Sequence, residues 1–381
     1  MGRDQAIKVV HLISGDLWAG AEVQAYTLLK ALCSRQDVEI SAIVLNKGIL
    51  ADRLREADIA VTVIEESAHS FLAIRRQLIR ELEGRSIDIL HSHRYKENIL
   101  AAQAMSRCGV KHLVQTVHGV VERFSGLDRL KAGMHSKMNR YFSRKFFDRI
   151  IAVSEDIRKR LSETCNEAQL VVIRNAIDTA DIVPTRPPAT LKAELGIRPE
   201  RVLIGTAGRL APVKGYDRLI RVAAIVKKEA PQVCFLIAGE GALRAELQRL
   251  IEDLDLHDTV RLVGFREDIT DFLNSLDLCV MSSHHEGIPT VLLEGMYLRK
   301  PVVAMAVGGI PEVVEDGVSG MLIEAGNEAA LADAILSLVR DRDLANRLGQ
   351  AARSRVELEF SSRTLAQRIL DLYQTVTGRQ G

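Results

Sequence analysis

His284-His285-Glu286-Gly287-Ile288-Pro289-Thr290-Val291-Leu292-Leu293-Glu294 sets a glycine and a proline between two glutamates. It follows a strand-like run, Leu278-Cys279-Val280-Met281, and opens into a helix-like run from Thr290 to Tyr297. Pro289 sits where a helix's first turn tolerates a missing N–H. Gly287 lets backbone come close to a ligand. The first amides of such a helix lack internal partners and carry the positive end of its dipole. The stretch therefore predicts an anion site at the carboxyl end of a strand, the edge where open α/β sheets bind ligands. Two carboxylates bracket it, Glu286 before the helix and Glu294 inside it.

Strand-like runs surround this stretch at Val202–Gly208, Cys234–Ala238, Val260–Val263 and Val302–Ala306. Helical periodicity fills Tyr216–Glu229, Ala329–Val339 and Ala345–Val356 between and beyond them. Gly208-Arg209-Leu210-Ala211-Pro212-Val213-Lys214-Gly215 follows the first of these strands. Arg209 offers a planar fork to phosphate oxygens and Lys214 a mobile point charge. Two such cations beside a helix N-terminus could hold a pyrophosphate without metal; ordinary surface charge on a loop is the competing reading. Gly239-Glu240-Gly241 and Gly264-Phe265-Arg266 end two more strands and suit backbone contact with a flat nucleobase. Gly308-Gly309 makes a further tight turn. An anion pocket, hydroxyl-binding acids and a base platform together suit a sugar nucleotide. Asp253-x-Asp255 and Asp341-x-Asp343 look like solvated surface.

The N-terminal half alternates in the same way. A strand at Ile7–Ile13 leads through the loop Ser14–Glu22 into a helix over Val23–Leu32. The loop is not G-x-G-x-x-G, and on its own it reads as a flexible turn. Strand-like runs recur at Ile40–Leu45, Val61–Ile64, Ile87–His91, His112–Thr116, Arg149–Val153 and Leu170–Ile173. This pattern predicts a mostly parallel sheet with helices on both faces. Polar residues collect at the strand ends: His91-Ser92-His93-Arg94-Tyr95-Lys96, then His118-Gly119. A single histidine in such a place is ordinarily a satisfied structural residue. His91-x-His93 has the spacing of a metal pair, but no third ligand at suitable spacing accompanies it, so no metal is assigned. Pro184-Thr185-Arg186-Pro187-Pro188 reads as the domain boundary, dividing 1–183 from 184–360. A last helix within 361–381 carries Leu365, Ile369, Leu372 and Val376 along one face.

The 381 residues carry a formal net charge of +1, which gives no general case for nucleic-acid binding. Five scattered cysteines suggest a reducing compartment. No secretory segment is recognised, and no apolar run approaches the ~20 residues of a membrane span. The chain is expected to be cytoplasmic, either soluble or peripheral on the inner face of the membrane. Residues 129–149 are locally basic and mixed with Met134, Met138, Tyr141, Phe142, Phe146 and Phe147. Contact with an anionic lipid surface and a solvated cationic face over a core stripe both remain open for this stretch.

These pieces in order resemble the GT-B glycosyltransferases of family 4 over essentially the whole chain. The resemblance rests on the paired alternations, Gly208-Arg209-x4-Lys214-Gly215, Glu286-x7-Glu294, the Ala-Gly-Ala-Glu loop at 19–22, His118-Gly119 and Gly308-Gly309. The family's N-terminal loop usually has two adjacent glycines; here Ala19 replaces the first and Gly20 remains. The resemblance implies two Rossmann-like domains facing a central cleft, with the last helix crossing back to the N-terminal domain. It implies retaining, metal-independent transfer of a hexosyl or N-acetylhexosaminyl unit from a nucleotide sugar, with UDP as the first choice. The acceptor would be a saccharide or a lipid-linked glycan of bacterial polysaccharide or lipopolysaccharide synthesis.

Carried over by position, Arg209 and Lys214 would neutralise the donor diphosphate. Gly208, Gly287, Ile288, Pro289 and Thr290 would support the phosphate and sugar, and Glu286 would contact sugar hydroxyls. Glu294 would bind the ribose, Gly264, Phe265 and Arg266 the base. Gly20 would let its loop approach the donor, and His118 would lie near the transferred sugar. His93, Arg94, Lys96 and the Phe124–Phe147 region are the candidate acceptor surface. A GT-B nucleotide-sugar 2-epimerase or phosphorylase would use many of the same residues. A catalytically idle sugar-nucleotide-binding module would not need them all.

Overall fold

Near-continuous runs of Val, Ile, Leu and Ala form the strands, as parallel strands covered on both faces require; Val233–Ala238 is buried throughout. The computed structural model describes residues 6–16, 18, 20–119 and 127–379, with backbone alone over 127–136. Ala19 and Phe124 lie outside the described residues, as do the side chains of the first half of the basic stretch.

The described strands form two parallel sheets, one in each of two units. The first sheet comprises β1 (Ile7–Ile13), β2 (Val38–Val44), β3 (Ala60–Val63), β4 (Ile89–Ser92), β5 (His112–Val117), β6 (Arg149–Ala152) and β7 (Leu170–Val172). Its order is β3-β2-β1-β4-β5-β6-β7. The second comprises β8 (Val202–Ala207), β9 (Val233–Ala238), β10 (Val260–Gly264), β11 (Leu278–Met281), β12 (Val302–Met305) and β13 (Met321–Ile323). Its order is β10-β9-β8-β11-β12-β13. Both are doubly wound. The winding reverses between β1 and β4 in one and between β8 and β11 in the other, and such switch points open a crevice at the strands' carboxyl ends.

The units are Met1–Ala176 with Ser362–Gly381, and Ile177–Ser361. The division falls between two adjacent residues with different allegiances. Ala176 exchanges two hydrogen bonds with the Gln24 amide, at 2.7 and 3.0 Å. Ile177 donates to the Phe360 carbonyl at 2.9 Å. The proline-rich stretch expected at the boundary instead belongs to the second unit. There Asp271 accepts from the Thr185 amide at 2.7 Å, its hydroxyl at 2.6 Å and the Arg186 amide at 3.1 Å. Burial works to raise the Asp271 pKa, but these donors prevail and hold it at about 2.

Helix Ser362–Thr377 packs Leu365, Ile369, Leu370 and Tyr373 into the first unit's core, beside Ile7, Val9, Leu28 and Ile151. Each such aliphatic side chain contributes about 1.5–3 kcal/mol on leaving water, which is far more than the helix's own propensity supplies. Among the described residues no helix is long and apolar enough to cross a membrane.

Candidate active site

In the second unit the site grows from the loops after β8 and β11. The Val213 carbonyl accepts from the His284 amide at 2.8 Å, and Ser282 Oγ donates to the Lys214 carbonyl at 3.1 Å. Gly215, at φ +61°, lies so close that a Cβ would come within 2.4 Å of the Ser282 carbonyl oxygen. Joined in this way, the two loops place Lys214 Nζ 2.8 Å from Glu286 Oε1. Ser283 Oγ donates to the same oxygen at 2.6 Å. The Glu286 backbone is held from the other side. Gly309 donates to its carbonyl at 3.1 Å, and a Cβ on Gly308, at φ +55°, would sit 1.8 Å from that oxygen. The Lys214 and Glu286 side chains are only 18% and 10% exposed. Removing either charge strands the other in a poorly hydrated place, which typically costs about 3–5 kcal/mol.

Helix Thr290–Tyr297 starts beside this pair, with Pro289 at its N-cap position and not in the first turn. Ile288 and Pro289 are buried and anchor the entry. The Thr290 and Val291 amides have no acceptor among the described residues. The Glu294 carboxyl likewise meets no donor among them, and burial raises its pKa to about 7. Arg209 is exposed in the loop after β8, and Gly208 is half-buried at that strand's end. Gly264 accepts from the Gly239 amide at 2.7 Å, and Phe265 beside it is 63% exposed. Arg266, expected to meet the donor, is held by two carboxylates of its own unit. Its guanidinium is spent on Glu194 and Asp268, at 2.5 and 2.6 Å, and its side chain is 12% exposed. Ser283 is an addition to the expected set. Its only sequence signal is a hydroxyl three residues before Glu286. Arg218 is another; it reaches the Ser282 carbonyl and His284 Nδ1, both at 3.1 Å.

The first unit gathers its polar residues differently. Gly20 is exposed at the start of helix Gly20–Cys33. Arg94 pairs with Asp16 at 3.0 Å and with the fully buried Glu22 at 2.5 Å, and Lys96 pairs with Glu66. His93, expected on an acceptor surface, is 3% exposed. Alternation puts His91, in β4, and His93, just past its end, on one side, and helix Ser362–Thr377 reaches that side through Tyr373. β1 pairs with β4 so that His11 lies opposite His91.

The result is a buried series. His91 Nε2 meets Thr116 Oγ1 at 2.8 Å and His91 Nδ1 meets the Tyr373 hydroxyl at 2.6 Å. That hydroxyl meets His11 Nε2 at 3.1 Å, and His11 Nδ1 meets His93 Nε2 at 3.0 Å. His93 Nδ1 meets His118 Nε2 at 3.1 Å. Burial pulls His11 down to about 3 and His118 to about 4, and holds His91 and His93 well below the usual histidine range.

His11, His91 and His93 are the one group among the described residues with the makings of a metal site, their ring nitrogens lying within 4.8 Å of one another. A metal must lie in the plane of each ring it binds. The His91 and His93 rings are stacked 4.7 Å apart at 10°, so their lone pairs run in near-parallel planes and do not converge.

Two family models cover most of the chain. Glycosyltransferase Family 4 matches residues 18–181 and Glycosyl transferases group 1 matches residues 189–355. The alpha-maltose-1-phosphate synthase of Mycolicibacterium smegmatis is 30% identical over 311 residues, covering 76% of this chain and 79% of that protein. The chain belongs to glycosyltransferase family 4. A second relative of this glycosyltransferase is the UDP-Gal:alpha-D-GlcNAc-diphosphoundecaprenol alpha-1,3-galactosyltransferase of Escherichia coli. It is 26% identical over 384 residues, 96% of each chain. The fold is that of Anabaena Alr3699/HepE, solved in complex with UDP and glucose. The TM-score is 0.85 and the identity 24%, over 97% of this chain and all of that one. The GT-B class expected from the sequence is therefore the observed one.

The histidine series makes the glycosyltransferase acid-sensitive in a defined window. Each folded pKa lies below the unfolded value near 6.5, so the unfolded chain binds more protons between the two. Stability is complete above about 6.5 and is lost as pH falls, at about 1.4 kcal/mol per pH unit per histidine. Glu97, raised to about 7 by burial, works in the opposite direction and offsets only one of the four. Thermal melts from pH 7.5 to 5 are expected to show the first unit's Tm falling steeply below 6.5. A flat Tm would contradict the buried, neutral array.

Proposed function

We infer that this glycosyltransferase moves a hexosyl or N-acetylhexosaminyl unit from a UDP-sugar to a saccharide or lipid-linked acceptor, with retention and without metal. The observation that carries the reading is the Lys214–Glu286 pair at the start of helix Thr290–Tyr297. The name of the E. coli relative, a UDP-galactose enzyme acting on a diphosphoundecaprenol-linked sugar, supports both donor and acceptor class.

The chemistry follows from charge. Cleavage of the anomeric C–O bond leaves its electron pair on the diphosphate. Fixed cations and helix amides stabilise that charge where it forms. Before donor arrives, Lys214 is neutralised by Glu286. Phosphate oxygens compete for the ammonium, and the freed carboxylate accepts from sugar hydroxyls. Arg209 adds a second cation, and the Thr290 and Val291 amides add neutral donors. His118 serves the transferred sugar. The acceptor oxygen attacks from the face that the diphosphate leaves, and its proton passes to the departing phosphate. Glu294 accepts from the ribose hydroxyls.

Arg209→Ala, at an exposed site, should retain the fold and lower turnover roughly 10²-fold, the usual loss for one charge-stabilising donor. Lys214→Ala should do the same at some cost in stability. Rates are to be measured on UDP-sugars in excess EDTA, where the wild-type enzyme should keep its full activity. Unchanged turnover in folded variants removes the diphosphate assignment, and loss in EDTA that Mg²⁺ restores removes metal independence.

Glu294 supplies a separate check. Ribose hydroxyls favour the carboxylate over the acid, so binding should lower a pKa that stands at about 7 in the free protein. Near pH 6, a UDP-sugar, whose diester phosphates hold no proton to lose, should then release protons to the buffer, seen by calorimetry in buffers of different ionisation enthalpy. Glu294→Gln should abolish the release. Equal heats in all buffers would take Glu294 out of the nucleotide site.

Helix Leu127–Phe146 bears on the acceptor. Its described side chains put Phe142 and Phe146 against the core, while Met138 is 39% and Tyr141 55% exposed beside exposed Lys137, Arg140, Arg144 and Lys145. We read this cationic face with apolar tips as a contact for anionic lipid. Flotation with anionic liposomes at low salt should carry the protein. Absence of binding there would end the membrane reading.

A further inference from the structure

Sugar transfer as proposed uses only His118, the half-buried end of a row whose other three histidines are buried. Behind His118 the hydrogen bonds form one unbranched series: Thr116, His91, Tyr373, His11, His93, His118. His118 Nδ1, buried and without a partner among the described residues, ends it.

A neutral imidazole has one N–H and one lone pair, and a hydroxyl has one proton. Each imidazole therefore passes one direction along the series; the Tyr373 oxygen could accept from both neighbours, but that strands its own proton as well as the His118 Nδ1 lone pair, and two arrangements keep one direction throughout. In the first, Thr116 donates to His91 Nε2, and His91 Nδ1–H donates to the Tyr373 oxygen. Tyr373 O–H donates to His11, His11 to His93 and His93 to His118. All four rings then carry the proton on Nδ1, and His118 presents an Nδ1–H. In the second, every ring carries it on Nε2 and His118 Nδ1 is a bare lone pair. The Thr116 proton then has no acceptor among the described residues. The first arrangement leaves one group unpaired and the second leaves two. Burying an unpaired polar group is costly, so the first is favoured.

We propose that Thr116, His91, Tyr373, His11 and His93 are positioning residues that lock His118 in the Nδ1–H form, making it a hydrogen-bond donor and not a base. The lock orders groups that sequence separates widely, from β1 to the last helix. Its consequence is that a hydroxyl on β5, remote from any ligand contact of its own, sets what His118 offers to an oxygen. That this oxygen belongs to the transferred sugar rests on the donor-site reading; the locked tautomer does not.

The test uses the full-length protein labelled with ¹⁵N at histidine, in which two-bond ¹H–¹⁵N correlations report each ring's tautomer. Above pH 7, His11, His91, His93 and His118 should all be Nδ1–H. Thr116→Val removes the first donor at nearly constant volume. It should shift His118 toward Nε2–H and lower kcat roughly 10-fold with little change in donor KM or Tm, while Thr116→Ser should restore both the pattern and the rate. An Nε2–H ring in the wild-type series overturns the lock, as does a Val variant with the wild-type pattern. Stoichiometric Zn²⁺ binding that perturbs His11, His91 and His93 together also overturns it. If the tautomers respond as stated and kcat does not, the lock stands and His118's place beside the sugar fails.

Discussion

The ion pair between Lys214 and Glu286 is the interaction on which the architecture at the second unit's switch point depends. Neither residue would be placed well by its own loop. Lys214 is set by the left-handed turn at Gly215, which is admitted only because no side chain stands between that backbone and Ser282. Glu286 is set by the equally close backbone of Gly308. Three loops, after β8, β11 and β12, thus converge on one buried contact at the sheet's switch point. A buried pair is weak evidence for stability. This one is better understood as a ground-state arrangement in which a cation and an anion, each with a use toward a phosphorylated sugar, are stored on each other.

Most of this is legible in the sequence, for physical reasons. Parallel strands buried on both faces read as continuous apolar runs. The glycines and proline flanking Lys214 and Glu286 mark backbone that must turn sharply beside a strand end, and few folds ask for that twice. Strands β8 and β11 and helix Thr290–Tyr297 fall where periodicity puts them. β13 escapes such a reading, since three residues, Met321–Ile323, carry too little pattern to separate a strand from a loop. The domain boundary is displaced because prolines mark extended backbone, not a lack of tertiary contact. Thr185 and Arg186 lie outside any helix or strand, yet are bound into the second unit by one carboxylate, Asp271. Arg266 shows a related limit. The sequence around a strand-end arginine does not reveal its partner, Glu194, seventy-two residues away.

The histidines are the clearest case of information the linear chain conceals. His91 and His93 are visible there as a pair without a third member. His11 is inconspicuous inside an apolar strand, and Tyr373 is one residue of an amphipathic helix. Their proximity depends on the winding order, which brings β1 beside β4. It also depends on the C-terminal helix returning to the first unit. Neither of these is a local property of the residues involved.

The two units therefore treat polar groups at their switch points in opposite ways, and the difference is chemical. In the second, groups are left with spare capacity: among the described residues Glu294 has no partner, two helix amides have no acceptor, and Glu286 Oε2 is not engaged by the Lys214 and Ser283 bonds to Oε1. Spare capacity is what a ligand rich in phosphates and hydroxyls consumes. In the first, these histidines and hydroxyls satisfy one another along a single series that, among the described residues, has one open end, at His118 Nδ1. Such saturation costs versatility and confers definition. A lone imidazole in a buried place could donate, accept or take a proton, and burial alone removes only the last of these. Coupling it to three further rings and two hydroxyls removes a second choice, because reversing its hydrogen bond would leave a buried hydroxyl proton unpaired further along the series. The stack's low basicity and its fixed direction thus have one origin, the exclusion of water from a row of groups that can be satisfied only by one another.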